Sequence, residues 1–446
     1  MLLSSLGTSI ANVGLPTLAE AFDASFQEVQ WVVLAYLLAI TTLIVSAGRL
    51  GDLVGRRRLL ITGITLFTVA SAMCSLAPSL WLLIAARTAQ GFGAAIMMAL
   101  TMASVADTVP KSRAGSAMGL LGTMSAVGTA LGPSLGGALI AGFGWQVMFL
   151  VHVPLGILAA LLAGRFLPAD VQRKGATDRP RFDHLGTLLL TLTLASYALA
   201  MTLGRGSFGV LNLALLFAAL LGAGVFLWVE SRVASPLIQL AMFRHPALGG
   251  GLAASALAAT VVMATLVVGP FYLSGALSLD TAAIGLVMST GPLVAAIVGV
   301  PAGRAVDRFG PRRVGVAGLL AMAAGSVVLP SLASTFGVPG YMAALSTLTA
   351  GYALFQASNN TAVMQDIHAS QRGVAGGLVN LARNLGLITG ASLMGTVFAV
   401  GSGATAMATA HPHALDSGLR STFAVAAALI VLALVASSMA SWRRRL

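Results

Sequence analysis

Three basic side chains lie within long apolar stretches of this sequence: Arg87, His152 and Arg383. An arginine in the middle of a bilayer costs about 2.5–3.5 kcal/mol on insertion scales, so it should face a cavity or a polar partner. A histidine changes charge near neutral pH and can therefore bind or release a proton. The alternative is structural: hydrogen bonding for the arginines and packing for the histidine. We take Arg87 and His152 as candidates for proton coupling and Arg383 as a candidate for lining a substrate cavity.

Neutral polar side chains in the same stretches form a second set of candidates. They can line a cavity, or they can simply hydrogen-bond between helices. The remaining members of the candidate cavity set are Asn12, Gln30, Tyr36, Gln90, Gln356, Asn359, Asn360 and Asn380. None of the 13 Asp and Glu residues falls deep in an apolar stretch. Embedded carboxylates are the usual proton carriers and the usual partners of cationic substrates, so both roles lack an obvious acid.

The apolar stretches themselves define the fold class. The chain is 57% hydrophobic and only 9% charged, whereas soluble domains average about 25% charged residues. In lipid, backbone groups must be satisfied within a helix or a closed barrel, and these runs are too long and uniformly apolar for barrel strands. We predict an all-α polytopic membrane protein whose fourteen transmembrane helices lie near residues 2–19, 28–48, 58–77, 80–104, 113–141, 144–166, 184–203, 209–229, 247–273, 281–302, 314–331, 338–363, 371–400 and 421–441.

The distribution of basic residues predicts the topology. With the N-terminus inside, nearly all of the 25 Lys and Arg residues fall in cytoplasmic loops, and only Arg205 and Arg420 fall in external ones. Cytoplasmic loops of membrane proteins carry such an excess, so we expect both termini in the cytoplasm and the chain in the plasma (inner) membrane. The formal charge of +12 then needs no nucleic-acid partner.

An internal repeat divides the chain. The segment Gly48–Arg58 joins the second and third predicted spans, and Gly303–Arg313 joins the tenth and eleventh with the same Gly, Arg, Asp, Gly and paired Arg positions. Gly119, Gly128 and Gly132 likewise match Gly377, Gly386 and Gly390. Parallel repeats with a site between the halves are a known transporter architecture. We predict an N-terminal six-helix bundle at 1–168, a linker plus two extra helices at 169–246, and a C-terminal six-helix bundle at 247–446.

The repeated motif has a candidate mechanical role. Its aspartate can accept hydrogen bonds from backbone amides at a helix N-terminus, or it can pair with a nearby arginine. Such a contact can hold one conformation and break in another. The alternative is a positively charged anchor with a neutralising acid. The residues assigned to this conformational latch are Gly48, Asp52, Gly55, Arg56, Arg57, Gly303, Asp307 and Gly310.

A glycine pattern marks the fifth span. Glycines at these spacings flatten one helix face, so that another backbone can lie against it, and a proline bends the helix. A generic packing face would explain the glycines but less readily the whole pattern. The motif residues are Gly119, Gly128, Gly132, Pro133, Gly136 and Gly137.

Together these motifs resemble those of the major facilitator superfamily, and in particular its fourteen-helix drug:proton antiporter branch. Gly48–Arg58 is similar to the family's conserved cytoplasmic loop, and the Gly119–Gly137 pattern resembles its antiporter motif. Arg87, Gln90, Gly91 and Gly93 resemble the fourth-helix motif, whose arginine is associated with proton coupling. Further similar segments are Thr8–Pro16, Gln30-Trp31 with Tyr36, and Leu381–Gly386. The resemblance covers essentially the whole chain and implies two six-helix bundles plus two central helices.

Two positions depart from the family pattern. The residue before the first-helix threonine is usually aspartate, and here it is Gly7. The sixth-helix Asn-Val-Pro reads His152-Val153-Pro154. The missing acid predicts a preference for neutral or anionic substrates over dicationic ones.

The resemblance implies a secondary active transporter for drug or multidrug efflux, working by alternating access and proton antiport, with antibiotic resistance as the associated phenotype. The alternatives are an uncoupled facilitator or metabolite exporter of the same fold and a non-transporting membrane sensor or assembly protein. We expect no enzyme, because the sequence holds no nucleotide loop or nucleophile–base pair. The expected partners are the lipid bilayer, a small hydrophobic substrate and protons, with no nucleic acid, cofactor or metal, and we expect a monomer.

Overall fold

The computed structural model describes residues 1–24, 26–168, 170, 182–203, 209–233, 235–244, 246–279, 281–403 and 411–442. Within these ranges the chain is helical and contains no strand. Seven helices precede the predicted linker: α1 Leu2–Ala21, α2 Phe26–Val54, α3 Arg56–Ser75, α4 Leu80–Thr108, α5 Ala114–Phe143, α6 Gln146–Leu150 and α7 His152–Phe166. The other seven are α8 His184–Thr202, α9 Val210–Glu230, α10 Pro246–Gly275, α11 Thr281–Phe309, α12 Pro311–Asp366, α13 Arg372–Ser402 and α14 Pro412–Trp442.

Thirteen helical stretches in the described residues are long and apolar enough to cross a membrane. The prediction of an all-α polytopic membrane fold is therefore confirmed. The number of crossings, fourteen from the sequence, stays a prediction.

Helix α12 consists of two segments that fold back on each other. At Gly337 the backbone has φ 59° and ψ −134°, which is not helical. A Cβ on Gly318 or Gly325 would lie 2.6 Å from the amide of Phe355 or 2.8 Å from that of Leu348. The two segments, which we call α12a (311–336) and α12b (338–366), thus form an antiparallel pair in which the glycines let the backbones touch.

The predicted loop between the second and third spans is wrong, because most of its residues are helical. Helix α2 continues to Val54 and α3 begins at Arg56, so the connection is the single residue Gly55, with φ 111°. Gly310, with φ 82°, connects α11 to α12 in the same way. A positive φ reverses the chain at one position at little cost only for glycine, and the motif therefore lies on rigid helix ends.

The start of the last span also differs from the prediction. The sequence places it at residue 421, with His411, His413, Asp416 and Arg420 outside the membrane, whereas α14 begins at Pro412. The polar residues lower the local hydropathy but are compatible with a helix, so the hydropathy pattern ends before the helix does. His413, Asp416 and Arg420 therefore lie on α14.

The helices pack as two bundles with a hairpin beside them. In the first bundle α1 packs on α5 and α2 on α4, and in the second α10 packs on α13 and α11 on α12. Between bundles, α2 and α4 contact α13, while α5 contacts α11 and α12. The hairpin of α8 and α9 packs on α2 and α13. We call the end of the assembly that carries Gly55 and Gly310 the motif end.

The outer surface is apolar. Large side chains such as Phe217 and Leu220 on α9 are 63% and 73% exposed, and Leu188 and Leu192 on α8 are also exposed. A soluble protein rarely exposes so much contiguous apolar surface, whereas a bilayer provides an apolar environment for it.

We expect Gly337→Ala to destabilise the protein by about 1–3 kcal/mol, because the backbone conformation at this position is essentially restricted to glycine. The measurement is the apparent Tm of the purified protein in detergent. Gly164→Ala in α7 is the matched control, since Gly164 is helical and a Cβ there meets nothing within 4 Å. A helical glycine gains stability on substitution by alanine, so equal Tm changes in the two variants would contradict the interpretation.

Candidate functional site

The first contact between the bundles joins Asp52, in the last turn of α2, to the N-terminus of α13. Its carboxylate accepts hydrogen bonds from the backbone amides of Gly373 and Val374 at 3.1 and 3.2 Å. The first amides of a helix have no partner within the helix and carry the positive end of its dipole. A carboxylate in this place satisfies two of them and is stabilised by the dipole.

A network of charges surrounds this first contact. Arg56 donates to Asp52 through Nε at 3.0 Å and Nη2 at 2.8 Å. The same guanidinium also pairs with Asp107 and binds the Ala369 carbonyl of the second bundle. Asp107 in turn pairs with Arg372, which donates to the Ala106 carbonyl at 3.0 Å. The network therefore crosses between the bundles more than once.

The second contact repeats the first on the other side of the assembly. Asp307, near the end of α11, accepts from the amides of Gly115 and Ser116 at the N-terminus of α5, at 2.7 and 2.8 Å. The Ser116 hydroxyl donates to the same carboxylate. Pro311 stands where the first motif has Arg56. The second contact therefore has hydrogen bonds to backbone amides but lacks the arginine that surrounds the first with ion pairs.

Close backbone approach makes both contacts possible. A Cβ on Gly115 would lie 2.6 Å from the Gly303 carbonyl oxygen, and one on Gly48 would collide with the Gly373 carbonyl. The sequence reasoning missed Gly115 and Gly373. The signal was present, because these two glycines stand at the same offset as Gly119 and Gly377.

The glycine face of α5 contacts two different helices. Near the motif end, a Cβ on Gly119 would meet the backbone of Gly299 and Gly303 in α11. Farther along, Gly128 and Gly132 lie against α1. Gly119 thus belongs to the interface between the bundles, whereas Gly128 and Gly132 belong to packing within the first bundle.

The last residues of the glycine motif make fewer contacts. Gly136 lies on Ile10, a Cβ on Gly137 would meet nothing within 4 Å, and Pro133 lies within α5. The structure therefore gives no packing reason for glycine at position 137.

Arg87 is fully buried within the first bundle. Its Nε donates to the Val32 carbonyl at 2.9 Å, Nη1 donates to Gln90, and the guanidinium lies over the Tyr36 ring with Cζ 4.1 Å from the centroid. Gln90 donates in turn to the Ser71 hydroxyl at 2.6 Å. Arg87 thus has polar and aromatic partners, but no ion pair includes it among the described residues.

The hydrogen bonding around Arg87 is incomplete. Its Nη2 has no hydrogen-bond partner, and neither has Nε2 of the buried His152. Both side chains lie beside Phe149: Cζ of Arg87 is 5.8 Å from its ring centroid, and Nδ1 of His152 is 3.3 Å from its carbonyl oxygen. A buried donor without a partner costs about 1–3 kcal/mol, and Nη2 of Arg87 is such a donor, so the cluster is a place where a hydrogen-bond acceptor or an anionic group would be stabilised.

The position that lacks the expected aspartate lies beside this cluster. A Cβ on Gly7 would be 3.2 Å from the Tyr36 hydroxyl and 3.3 Å from Cζ of Phe67. Tyr36 donates to the Ser4 carbonyl at 2.8 Å and is fixed in place. An acidic side chain at position 7 would require these rings to move, so the packing here is adapted to glycine.

Some members of the candidate cavity set are enclosed by the packing. Tyr36 and Gln90 belong to the Arg87 cluster, and Asn380 donates to the Met98 carbonyl across the interface between the bundles, at 3.3 Å. Asn359 and Asn360 are buried as well, with Asn359 against Gly251 of α10.

The rest of the set is more accessible. Asn12 is exposed and donates to the Thr8 carbonyl at 3.3 Å, while Gln30, Gln356 and Arg383 are partly exposed. Nε of Arg383 has no hydrogen-bond partner. The structure thus gathers Arg87, His152, Tyr36 and Gln90 in one cluster and leaves the other candidates dispersed.

A pair of buried carboxylates lies at the motif end of the hairpin. Glu230 accepts from the amides of Leu237 and Ile238 at 3.3 and 3.2 Å, and Asp183 accepts from Gly186 at 2.7 Å. A Cβ on Gly186 would meet Oδ2 of Asp183 at 2.6 Å and Oε1 of Glu230, so the two carboxylates lie beside the same point of α8. From the sequence both acids are expected in cytoplasmic segments or at helix ends, and their proximity is not predicted, because they are distant in sequence and only the packing of α8 on α9 joins them.

Comparison with known proteins identifies relatives. The sequence profile of the Major Facilitator Superfamily matches residues 1–391 and 251–445. The riboflavin transporter RibZ of Clostridioides difficile is 30% identical over 89% of this chain and 86% of its own length. The multidrug resistance protein Stp of Mycobacterium tuberculosis is 30% identical over 92% of this chain and 75% of its own.

Solved structures share the fold. The crystal structure of the human organic anion transporter MFSD10 superposes with a TM-score of 0.68, covering 98% of this chain and 97% of that one at 15% identity. At that identity the likeness concerns the fold alone.

We expect Glu230→Gln to raise the apparent Tm at pH 8 by a few degrees, because it removes the repulsion between two buried carboxylates, an effect of roughly 1 kcal/mol. At pH 5.5 Glu230 is protonated in more of the native molecules, so the gain should be smaller. The measurement is thermal unfolding in detergent at both pH values. Equal gains at pH 8 and pH 5.5 would show that the two carboxylates do not interact electrostatically.

Proposed function

The chain belongs to the Major Facilitator Superfamily, and we propose that it exports small hydrophobic compounds by alternating access, coupled to inward proton movement. It is a membrane transporter rather than an enzyme. Within the superfamily, the direction of transport, the coupling ion and the substrate are our proposals.

The proposal of alternating access rests on the position of the contacts between the bundles. Every hydrogen bond described between α1–α7 and α10–α14 lies toward the motif end, and none lies beyond Thr123 and Asn380. The bundles are thus joined at one end by contacts that can break without unfolding either bundle. We propose that Asp52 and Asp307 are the latches of this closed end.

Orientation follows from the same contacts and the charge distribution. We place the motif end in the cytoplasm, because the basic residues of the predicted loops collect there. In this proposal both termini lie in the cytoplasm, the chain crosses the plasma (inner) membrane fourteen times, and the end opposite to the motif end is the one that opens to the outside while the latches hold.

The proposal of efflux rests on the relatives. Stp is a multidrug resistance protein and RibZ is a riboflavin transporter. The name of Stp supports efflux, whereas that of RibZ supports only transport, and we propose a small hydrophobic compound as the substrate. The packing at Gly7 favours neutral or anionic compounds, because the first helix offers no carboxylate to a cation at this position.

The proposal of proton coupling rests on the Arg87 cluster. A fully buried guanidinium without a paired carboxylate is electrostatically costly, and the imidazole of His152, a second basic group, lies beside the same phenylalanine. We propose that protonation at this cluster alters the position of α4 relative to α2. Arg87 then tunes the proton site rather than carrying the proton itself.

A second candidate function is uncoupled facilitation or metabolite export. The observation that favours it is the same lack of a carboxylate partner: among the described residues, the ion pairs involve only Asp52 and Asp107 as acids, both at the motif end. The two candidates differ in whether a pH gradient drives movement of the substrate.

For the latches, we expect Asp52→Asn and Asp307→Asn each to shift the protein toward the state open at the motif end. The reporter is Asn380→Cys in a Cys74→Ala background, because residue 380 is buried between the bundles. Labelling of this cysteine by an impermeant maleimide from the motif end should become roughly fivefold faster, since a carboxylate at a helix N-terminus contributes about 1 kcal/mol.

Asp170→Asn is the matched control for this experiment. Asp170 accepts from the amides of Arg57 and Arg58 at the N-terminus of α3, at 2.9 and 3.0 Å, but within the first bundle. Its substitution should leave the labelling rate unchanged. Equal acceleration by all three variants would mean that loosening of helix ends, and not opening between the bundles, exposes the cysteine.

For coupling, the test uses purified protein in liposomes with an imposed pH gradient and a panel of neutral, anionic and dicationic lipophilic compounds. We expect neutral or anionic compounds to move only while the gradient lasts, and Arg87→Ala to reduce this movement by at least tenfold. Movement that is indifferent to the gradient would establish the facilitator instead. A dication as the best substrate would contradict the role given to Gly7.

A further inference from the structure

A groove lies on the outside of the second bundle, between α12a and α14, at the end opposite to the motif end. It encloses about 500 Å³. Its floor consists of the buried Ser326, Pro330 and Phe423. Its exposed rim consists of Val327, Ser331, Ser334, Thr335, Arg420 and Ala424. Helix α14 packs against α10, α12 and α13 of the second bundle, so this groove on its outer side is separate from the interface where the substrate is expected.

The groove combines one cation with a set of hydroxyl groups. Arg420 makes no ion pair among the described residues. The acid nearest in sequence on its helix is Asp416, which interacts with Tyr272. The hydroxyls of Ser331 and Ser334 donate to carbonyls of their own helix at 2.9 and 3.1 Å and can rotate toward a ligand. Among the described residues no ion pair neutralises the positive charge of the groove, although Asp416 and Arg420 both act on Tyr272.

The floor of the groove contains an unsatisfied donor. Ser326 is fully buried, and its hydroxyl has no hydrogen-bond partner in the protein. Most serines in membrane helices bond to a carbonyl one turn back, as Ser331 and Ser334 do. A buried hydroxyl that lacks even this bond is stabilised by an acceptor that enters the groove.

The surroundings of the groove are apolar. Val327 on its rim is 65% exposed, and the adjacent Phe336 is 64% exposed. Arg420 lies eight residues inside α14, about 12 Å from the helix start at 1.5 Å per residue. A guanidinium on such an apolar, lipid-facing surface is stabilised by water or by an anionic group that comes from the lipid itself.

We propose that this groove binds the phosphate group of an anionic phospholipid. Arg420 pairs with the phosphate, the rim hydroxyls and Ser326 donate to headgroup oxygens, and Val327, Pro330 and Phe423 contact the beginning of the acyl chains. Arginine suits this role because its guanidinium forms bidentate hydrogen bonds with phosphate. With the motif end in the cytoplasm, the lipid belongs to the outer leaflet.

The experiment measures lipid binding next to the groove. Phe336→Cys in a Cys74→Ala background carries a fluorescent label, and the protein is placed in phosphatidylcholine liposomes. Phosphatidylglycerol with a spin-labelled acyl chain is then added in rising amounts. It should quench the label at a much lower mole fraction than spin-labelled phosphatidylcholine does. We expect Arg420→Ala to weaken the apparent affinity for phosphatidylglycerol about tenfold and Ser326→Ala to weaken it about threefold.

Three comparisons decide between the outcomes. Arg308→Ala removes one positive charge at the motif end and should leave the affinity unchanged. Arg420→Lys keeps the charge but loses bidentate geometry, so its affinity should lie between those of the wild type and Arg420→Ala. Equal quenching by the two lipids, or an unchanged affinity in Arg420→Ala, would overturn the proposal. Displacement by millimolar inorganic phosphate or glycerol phosphate would identify a site for soluble phosphate instead, and would overturn it as well.

Discussion

The unsatisfied amides at the start of a helix are the constraint on which the contact between the bundles depends. Helices α5 and α13 each begin at the motif end, and each must find acceptors for its first amides. The acceptors are Asp307 and Asp52, which belong in each case to the other bundle. Other features of this end serve the same contact. The single-residue turns at Gly55 and Gly310 keep the aspartates on helix ends, and the glycines at 48, 115, 303 and 373 let the backbones approach.

Arg87 is a buried charge whose partners differ in kind from those of the carboxylates at the motif end. At the motif end each buried carboxylate has backbone amides as partners, and in one case an arginine as well. In the middle of the first bundle the cation has only carbonyl, amide and aromatic partners, and one of its nitrogens has none. Neutral partners stabilise a buried charge less than an opposite charge does. The first bundle thus contains a buried positive charge that its own side chains stabilise only in part.

The sequence predicts the fold well because lipid imposes one rule on every segment. Apolar runs of about twenty residues must be helices, and the repeated motif shows that the halves are related. The hydropathy pattern fails where polar residues continue a helix: Asp52 lies on α2 although its surroundings look like a loop, and Asp416 and Arg420 lie on α14.

Less of the candidate site could be predicted, because its contacts join residues that are distant in sequence. The chemistry of Asp52 suggested a helix N-terminus as its partner, but nothing in the motif says that the helix is α13. The proximity of Asp183 and Glu230 depends on how α8 packs on α9, and the cluster around Arg87 depends on the crossing of α2, α4 and α7. Residue type therefore predicts what a group can bind, whereas packing decides what it does bind.

In the second motif Pro311 stands where the first has Arg56, so the two contacts between the bundles respond differently to ionic strength. Salt screens charges over about 8 Å at physiological concentration and acts mainly on the more exposed ones. In the α2–α13 contact the most exposed partner is Asp107, at 36%, which pairs with Arg56 and Arg372, whereas the α5–α11 contact consists of hydrogen bonds to Asp307 without an ion pair among the described residues. We therefore expect rising salt to weaken the α2–α13 contact more than the α5–α11 contact, although the two motifs look symmetric in sequence.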